Sequence, residues 1–278
     1  MRTRSVVFLA VVAVVAGVGV AIWRGTGPLP DPEGCTAVVS GRTVDLAPDQ
    51  GRNAALIAAI GVRRGLPARA VSIALATAYQ ESKIRNLNHG DRDSLGIFQQ
   101  RSSQGWGTPD QIRDEHYAIN KFFEALEKIH GYQTMRITEA AQKVQRSGFP
   151  EAYEAHAPDA RALASALTGY SPGGAFTCVV DAPTRVGRAA AVQASLEASF
   201  GDLPTTPGAR QDLSVPVTVD LAGNRRGWAV AQYLVAYAGD LRIRSVSFDA
   251  KTWHSGRDSE KGWTRSTVDD GAVLVSLG

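Results

Sequence analysis

The chain has 278 residues, of which 44% are hydrophobic and 21% charged, close to globular averages, and this excludes disordered, collagen-like and multi-span membrane proteins. The length fits one or two domains with a sizeable core. Of the 30 Lys and Arg, Arg2 and Arg4 precede an apolar segment; the remaining 28 face 27 acidic residues, a balance of +1 with no basic tract, so no nucleic-acid partner is indicated.

The first element is apolar. Val6 to Trp23 are 18 residues without a charge, and a helix of that length rises ~27 Å, near the ~30 Å of a bilayer core. A transmembrane signal anchor over 1–24 is expected, with Arg2 and Arg4 holding the N-terminus inside. A cleaved signal peptide is the alternative; the run is longer than an ordinary h-region and no clean A-x-A site ends it. Either way the remainder lies outside the cytoplasm, cell-membrane-bound by a single pass or secreted.

A Pro- and Gly-rich stalk is expected over 25–47. Outside the cytoplasm two cysteines can persist as a disulfide, so Cys35 and Cys178, which bracket the next region, are expected to pair. Between them the pattern is mainly helical. One helix is expected from Pro48 to Arg64, stopped by Gly65, and a second from Pro67 through ARAVSIALATAYQES. From Ala70 to Tyr79 this second helix has no charged side chain on any face, as a helix in the middle of a domain should. A loop (NLNHGDRDS), a strand-like LGIFQQ and a Gly-rich turn with Trp106 follow. Single helices are then expected from Thr108 and Pro109 through IRDEHYAINKFFEALEKI, from a Thr138 cap, and through PEAYEAHAPDARALASAL. The helical region closes at 178, a linking helix and Pro-rich hinge take 179–211, and a small α+β module occupies 212–278, with Trp228 and Tyr233 in its core.

The motifs of metal and phosphate chemistry are missing. The five histidines are scattered, with no H-E-x-x-H and no paired-Cys motif, so no metal site is expected. No S-x-x-K and no Walker loop is present, and no cofactor is indicated. A carboxylate stands out instead. Glu81 closes the uncharged helix, where the dipole's negative end and desolvation both disfavour its charged form. A carboxyl that keeps its proton can serve as general acid for glycosidic bond cleavage. The bland alternative makes Glu81 the first solvated residue of an emerging helix, beside Lys83.

The neighbouring residues bear on that choice. ALATAYQES with Glu81-Ser82, followed by Gly96-Ile97-Phe98-Gln99, resembles the first two motifs of the lysozyme-like soluble lytic transglycosylase family. The string GDRDSLGIFQQRSSQGWGT, with VQRSGFPEAY downstream, is similar to a subgroup of secreted actinobacterial and phage-associated wall-lytic proteins. The resemblance covers residues 50 to 170. It implies a mainly α lysozyme-like domain, helices plus a short β segment, with peptidoglycan glycan strands as substrate and Glu81 as acid and base. It further implies a sugar contact at Gln99, with Gly96 and Phe98 in the same motif, Tyr117 and Asn120 in a third motif, and Ser82 supporting Glu81; as aromatics, Trp106, Tyr117 and Tyr153 can stack their rings on sugars or belong to the core. The fourth family motif, Ala-Tyr-Asn in many members, is replaced here by VQRSGF. Asp91 and Asp93 lie in the loop facing the cleft, and either is a possible second carboxylate for hydrolysis in place of transglycosylation. The C-terminal module resembles one at the ends of actinobacterial secreted wall proteins. A non-catalytic wall-binding or scaffold protein with the same cleft is the alternative class.

Overall fold

The computed structural model describes residues 31–146, 151–208, 212–218, 220–268 and 271–278, so the apolar segment 6–23 lies outside the described residues. Among the described residues no helix is long and apolar enough to cross a membrane.

The expected stalk is corrected over more than half its length, from Gly34 on. β1 (Gly34–Val39) and β2 (Arg42–Leu46) form an antiparallel hairpin. Its residues alternate with period two, burying Cys35, Ala37, Val44 and Leu46. Ser40 and Gly41 supply the two positive φ values, 49° and 78°, that a tight two-residue turn uses.

Two helices follow where the patterning placed them, α1 (Pro48–Arg63) and α2 (Ala68–Ser82). Pro67 stands one residue outside α2 as its extended N-cap. The strand-like LGIFQQ is instead a minimal hairpin, β3 (Ser94–Leu95) and β4 (Gln100–Arg101), because Gly96 and Gln99 at φ 76° and 48° turn the chain between them. The long helix expected after Thr108 is two, α3 (Pro109–Arg113) and α4 (Glu115–Glu127). Asp114 breaks it: its backbone is extended and its carboxylate accepts from Tyr117 N–H as the N-cap of α4. α5 (Ile137–Gln145) starts before Thr138, which is buried, with Glu139 reaching back to the Arg136 N–H. The stretch after Pro150 is a 3-10 turn over Ala152–His156 followed by α6 (Ala157–Leu167). α2 is the central helix, buried from Ala70 to Ala78, with α1, α5 and α6 packed around it.

β5 (Phe176–Val179) joins β1 to complete a sheet of order β2-β1-β5, in which Cys35 lies directly opposite Cys178. The two are disulfide-bonded across 143 positions. Beyond α7 (Ala189–Phe200), a six-stranded antiparallel sheet of order β10-β9-β8-β11-β7-β6 carries one long helix, α8 (Leu221–Ala236), on one face. Its strands are β6 (Thr206–Pro207), β7 (Leu213–Pro216), β8 (Ser245–Phe248), β9 (Lys251–His254), β10 (Thr264–Arg265) and β11 (Ala272–Ser276).

Residues Glu33–Gly278 are one compact unit. α1 packs on α8, and three polar side-chain groups, those of the buried Gln232 and Trp253 and the half-buried Trp263, tie the C-terminal strands and helix to β5 and α6. Gln232 donates to Ala166 O and Trp228 O and accepts from Phe176 N–H; Trp253 donates to Cys178 O, and Trp263 to Phe176 O. Trp228, Tyr233 and Trp253 are core.

Candidate functional site

Two consecutive left-handed residues, Lys83 at φ 55° and Ile84 at φ 59°, stop α2 one turn past its buried stretch. That stop leaves Glu81 half-buried at the mouth of a cleft, with Ser82 buried beneath it. Ser82 ties the end of the helix to the short hairpin. Its hydroxyl lies 2.7 Å from Ile97 O and 3.1 Å from Ala78 O as donor, and accepts from Arg85 N–H. Tyr153, fully buried, donates its hydroxyl to Glu81 Oε1 at 2.8 Å.

The cleft has a volume of about 530 Å³, and its lining includes Glu81, Asp91, Arg92, Gln99, Gln100 and Trp106. A second depression, about 570 Å³, shares Gln104, Trp106, Gln145 and Arg146 with it and continues between Lys128 and Lys143. The two make one groove with Glu81 toward one end. Gln145, which lines both, is fixed by donating to Phe98 O at 2.8 Å.

Of the expected substrate contacts, Gln99 lines this groove, but its amide is largely occupied. Gln99 Nε2 donates to His89 O and Gly96 O, clamping the loop, and a Cβ on Gly90 would sit only 1.8 Å from its Oε1. The others are corrected by their positions. Phe98 is fully buried and stacked on Phe122 at 4.3 Å. Tyr153 shows the cleft no ring face. Gly96 is buried against α3, where a Cβ would meet Ile112 O at 2.6 Å. Asn120 is engaged with Arg63, Arg64 and His116 O, and Tyr117 packs on Gly107 and under Lys121; neither lines the groove.

The two loop carboxylates separate. Asp91 is exposed and lines the cleft. Asp93 does not line it. It accepts from Ser103 N–H, Arg101 Nε and Ser103 Oγ, and these bonds hold its carboxyl well below the ordinary carboxylate range. It is a brace for the β3–β4 hairpin rather than a free base.

Gln100 was not singled out by its sequence, which shows only a second Gln after Gln99. It is 2% exposed, donates to Ala118 O and lines the cleft, while its Oε1 has no hydrogen-bond partner among the described residues. Behind Glu81, His156 stacks on Tyr79 at 4.7 Å and meets Gln80 Oε1 at 3.0 Å; burial lowers its pKa, against Asp159.

One other string has the spacing of a nucleophile elbow, Gly169-Tyr170-Ser171-Pro172-Gly173. It follows a helix instead of joining a strand to a helix, and Ser171 Oγ is bonded to Ser165 Oγ at 2.8 Å, so it is not built as one. Among the described residues no group of three or more His, Cys, Asp or Glu side chains is placed to hold a metal ion. No protein-family model matches the sequence, and no curated protein is significantly similar to it.

Proposed function

We propose that the protein is an extracytoplasmic, membrane-anchored enzyme that cleaves the β-1,4 bond between the muramic and glucosamine sugars of peptidoglycan, with a lysozyme-like arrangement around Glu81. The observation that carries this reading is a half-buried carboxyl at the mouth of an elongated groove, oriented by a buried tyrosine hydroxyl at 2.8 Å. A groove fits a polymer that passes through the site, and an oriented carboxyl at its wall fits proton delivery to a leaving glycosidic oxygen.

In the transglycosylase route Glu81 gives its proton to the leaving oxygen as the C1–O bond breaks. It then takes the proton of the same muramic residue's C6 hydroxyl as that oxygen attacks C1, which closes an anhydro ring and restores the acid. One carboxyl suffices. The engagement of Asp93 in three hydrogen bonds supports this route, since only Asp91 is left along the cleft to activate a water for hydrolysis. Incubation of the protein with purified peptidoglycan, with products identified by mass, tests the reading. Anhydro-muramic ends support it, reducing ends redirect it to a lysozyme-type hydrolase, and absence of any cleavage by a chain that still binds the polymer favours the scaffold class.

A further inference from the structure

Past Trp106 the groove changes character. Its far half has an apolar floor of Ala125, Ile129 and Val144 and three cations, Lys128, Lys143 and Arg146, with no acidic residue in its lining. None of the three cations is in an ion pair among the described residues. The half nearer Glu81 is different: Arg101 is neutralised by Asp93 at 2.7 Å, and Arg92 faces Asp91 at 3.8 Å. Arg146 lines both halves and Lys128 acts on the nearby Glu124, so the unpaired positive charge is concentrated toward the far end without being confined to it. Arg146 is held there by backbone geometry. It caps α5 in the left-handed conformation at φ 51°, one residue after Gln145, which is bonded to Phe98 O.

We propose that this far half is a subsite for carboxylates carried by the glycan strand, so that the protein discriminates acid-bearing strands from neutral ones at a distance from the scissile bond. The proposal rests on the wall-glycan reading above and adds the anionic substituent as its specificity element. The argument is one of charge complementarity: three unpaired cations along a groove that a polymer would follow attract a ligand with repeated negative charge, and an apolar floor accepts its uncharged parts. Exposed pairs contribute little singly, but three in one groove amount to about tenfold in affinity at low salt.

The test compares three probes on the full-length chain: glycan strands carrying stem peptides, the same strands with the peptides removed so that each muramic residue bears its own lactyl carboxylate, and neutral chitohexaose. The acid-bearing strands are expected to bind about tenfold more tightly than chitohexaose, with the advantage shrinking as salt is raised. The triple variant Lys128→Gln, Lys143→Gln, Arg146→Gln is expected to reduce that ratio to within about twofold, and an unchanged unfolding midpoint verifies that it folds. If both acid-bearing probes gain, the subsite accepts either carboxylate; if only the peptide-free strands gain, the lactyl carboxylate is the ligand, and if only the peptide-bearing strands gain, the peptide carboxylates are. Equal binding of all three probes by the wild type, or a ratio retained in the triple variant, overturns the subsite and leaves the cleavage reading intact. A chain that neither binds nor cleaves any of the three overturns the wall-glycan reading itself, and the subsite with it.

Discussion

Tyr153→Phe tests the bond that orients Glu81. The ring is fully buried, so the substitution preserves packing and removes only the hydroxyl that donates to Glu81 Oε1 at 2.8 Å. A neutral hydrogen bond contributes about 0.5–1.5 kcal/mol net, and one to a charged group about 1.5–3. As Glu81 releases its proton in the transition state the bond moves from the first class toward the second, gaining about 1–1.5 kcal/mol. At 1.36 kcal/mol per tenfold, the variant is expected to lose about 5- to 13-fold in the rate of muropeptide release. The loss belongs in the rate at saturating substrate and not in KM, since the bond strengthens only as the proton leaves. Stability should fall by about 1 kcal/mol in denaturant unfolding. Saturation kinetics with purified peptidoglycan, alongside urea unfolding, separate the two effects. A rate within twofold of wild type in a folded Tyr153→Phe protein refutes the orienting role.

Three further outcomes follow from the fold. Replacing both Cys35 and Cys178 by Ser opens a 143-residue loop and is expected to cost up to about 5 kcal/mol in the chain-entropy model; denaturant midpoints of the wild type and the double variant check it, and equal midpoints contradict it. Gly96→Ala forces a non-glycine residue to φ 76° and drives its Cβ to 2.6 Å from Ile112 O, so a loss of roughly 1–3 kcal/mol is expected; an unshifted melting temperature rejects that account of the turn. The folded pKa of Asp93 lies below its unfolded value of ~3.9, so its bonds contribute stability above that value, which is lost as pH falls through the lower folded value. The melting-temperature gap between wild type and Asp93→Asn should therefore be constant above about pH 5 and shrink below about pH 4. A gap that widens on acidification would contradict the sign.

The parts of this molecule that were legible in the sequence are those where composition overrides context. A helix without charge from Ala70 to Tyr79 has nowhere to be but the interior, and the first charge after it, Glu81, had to fall where that helix emerges. Cys35 and Cys178 were the only candidates for each other. What composition hides is direction. Nothing in PEAYEAH distinguishes a tyrosine that presents its ring to a ligand from one that turns its hydroxyl onto Glu81, because the 3-10 turn that aims Tyr153 is set by packing against α2. Asp93 read as a loop carboxylate near the cleft; its capture by Arg101 and Ser103 depends on a hairpin whose strands are two residues each, too short for a period-two signal. The β1–β2 hairpin was lost to a Pro- and Gly-rich preface, although its alternation was present. Gln232, Trp253 and Trp263 join the C-terminal strands and helix to β5 through single side-chain bonds that no linear pattern announces.

The central claim, that Glu81 is the acid and base of a glycan-cleaving site, is tested most directly by muropeptide release from purified peptidoglycan by wild type and Glu81→Gln, with binding to the same polymer measured in parallel. Gln keeps the shape of the protonated carboxyl but has no acidic proton, so release is expected to fall by about 100- to 10,000-fold with binding within a few-fold of wild type. A Glu81→Gln protein that releases muropeptides at a rate within about twofold of wild type contradicts the account.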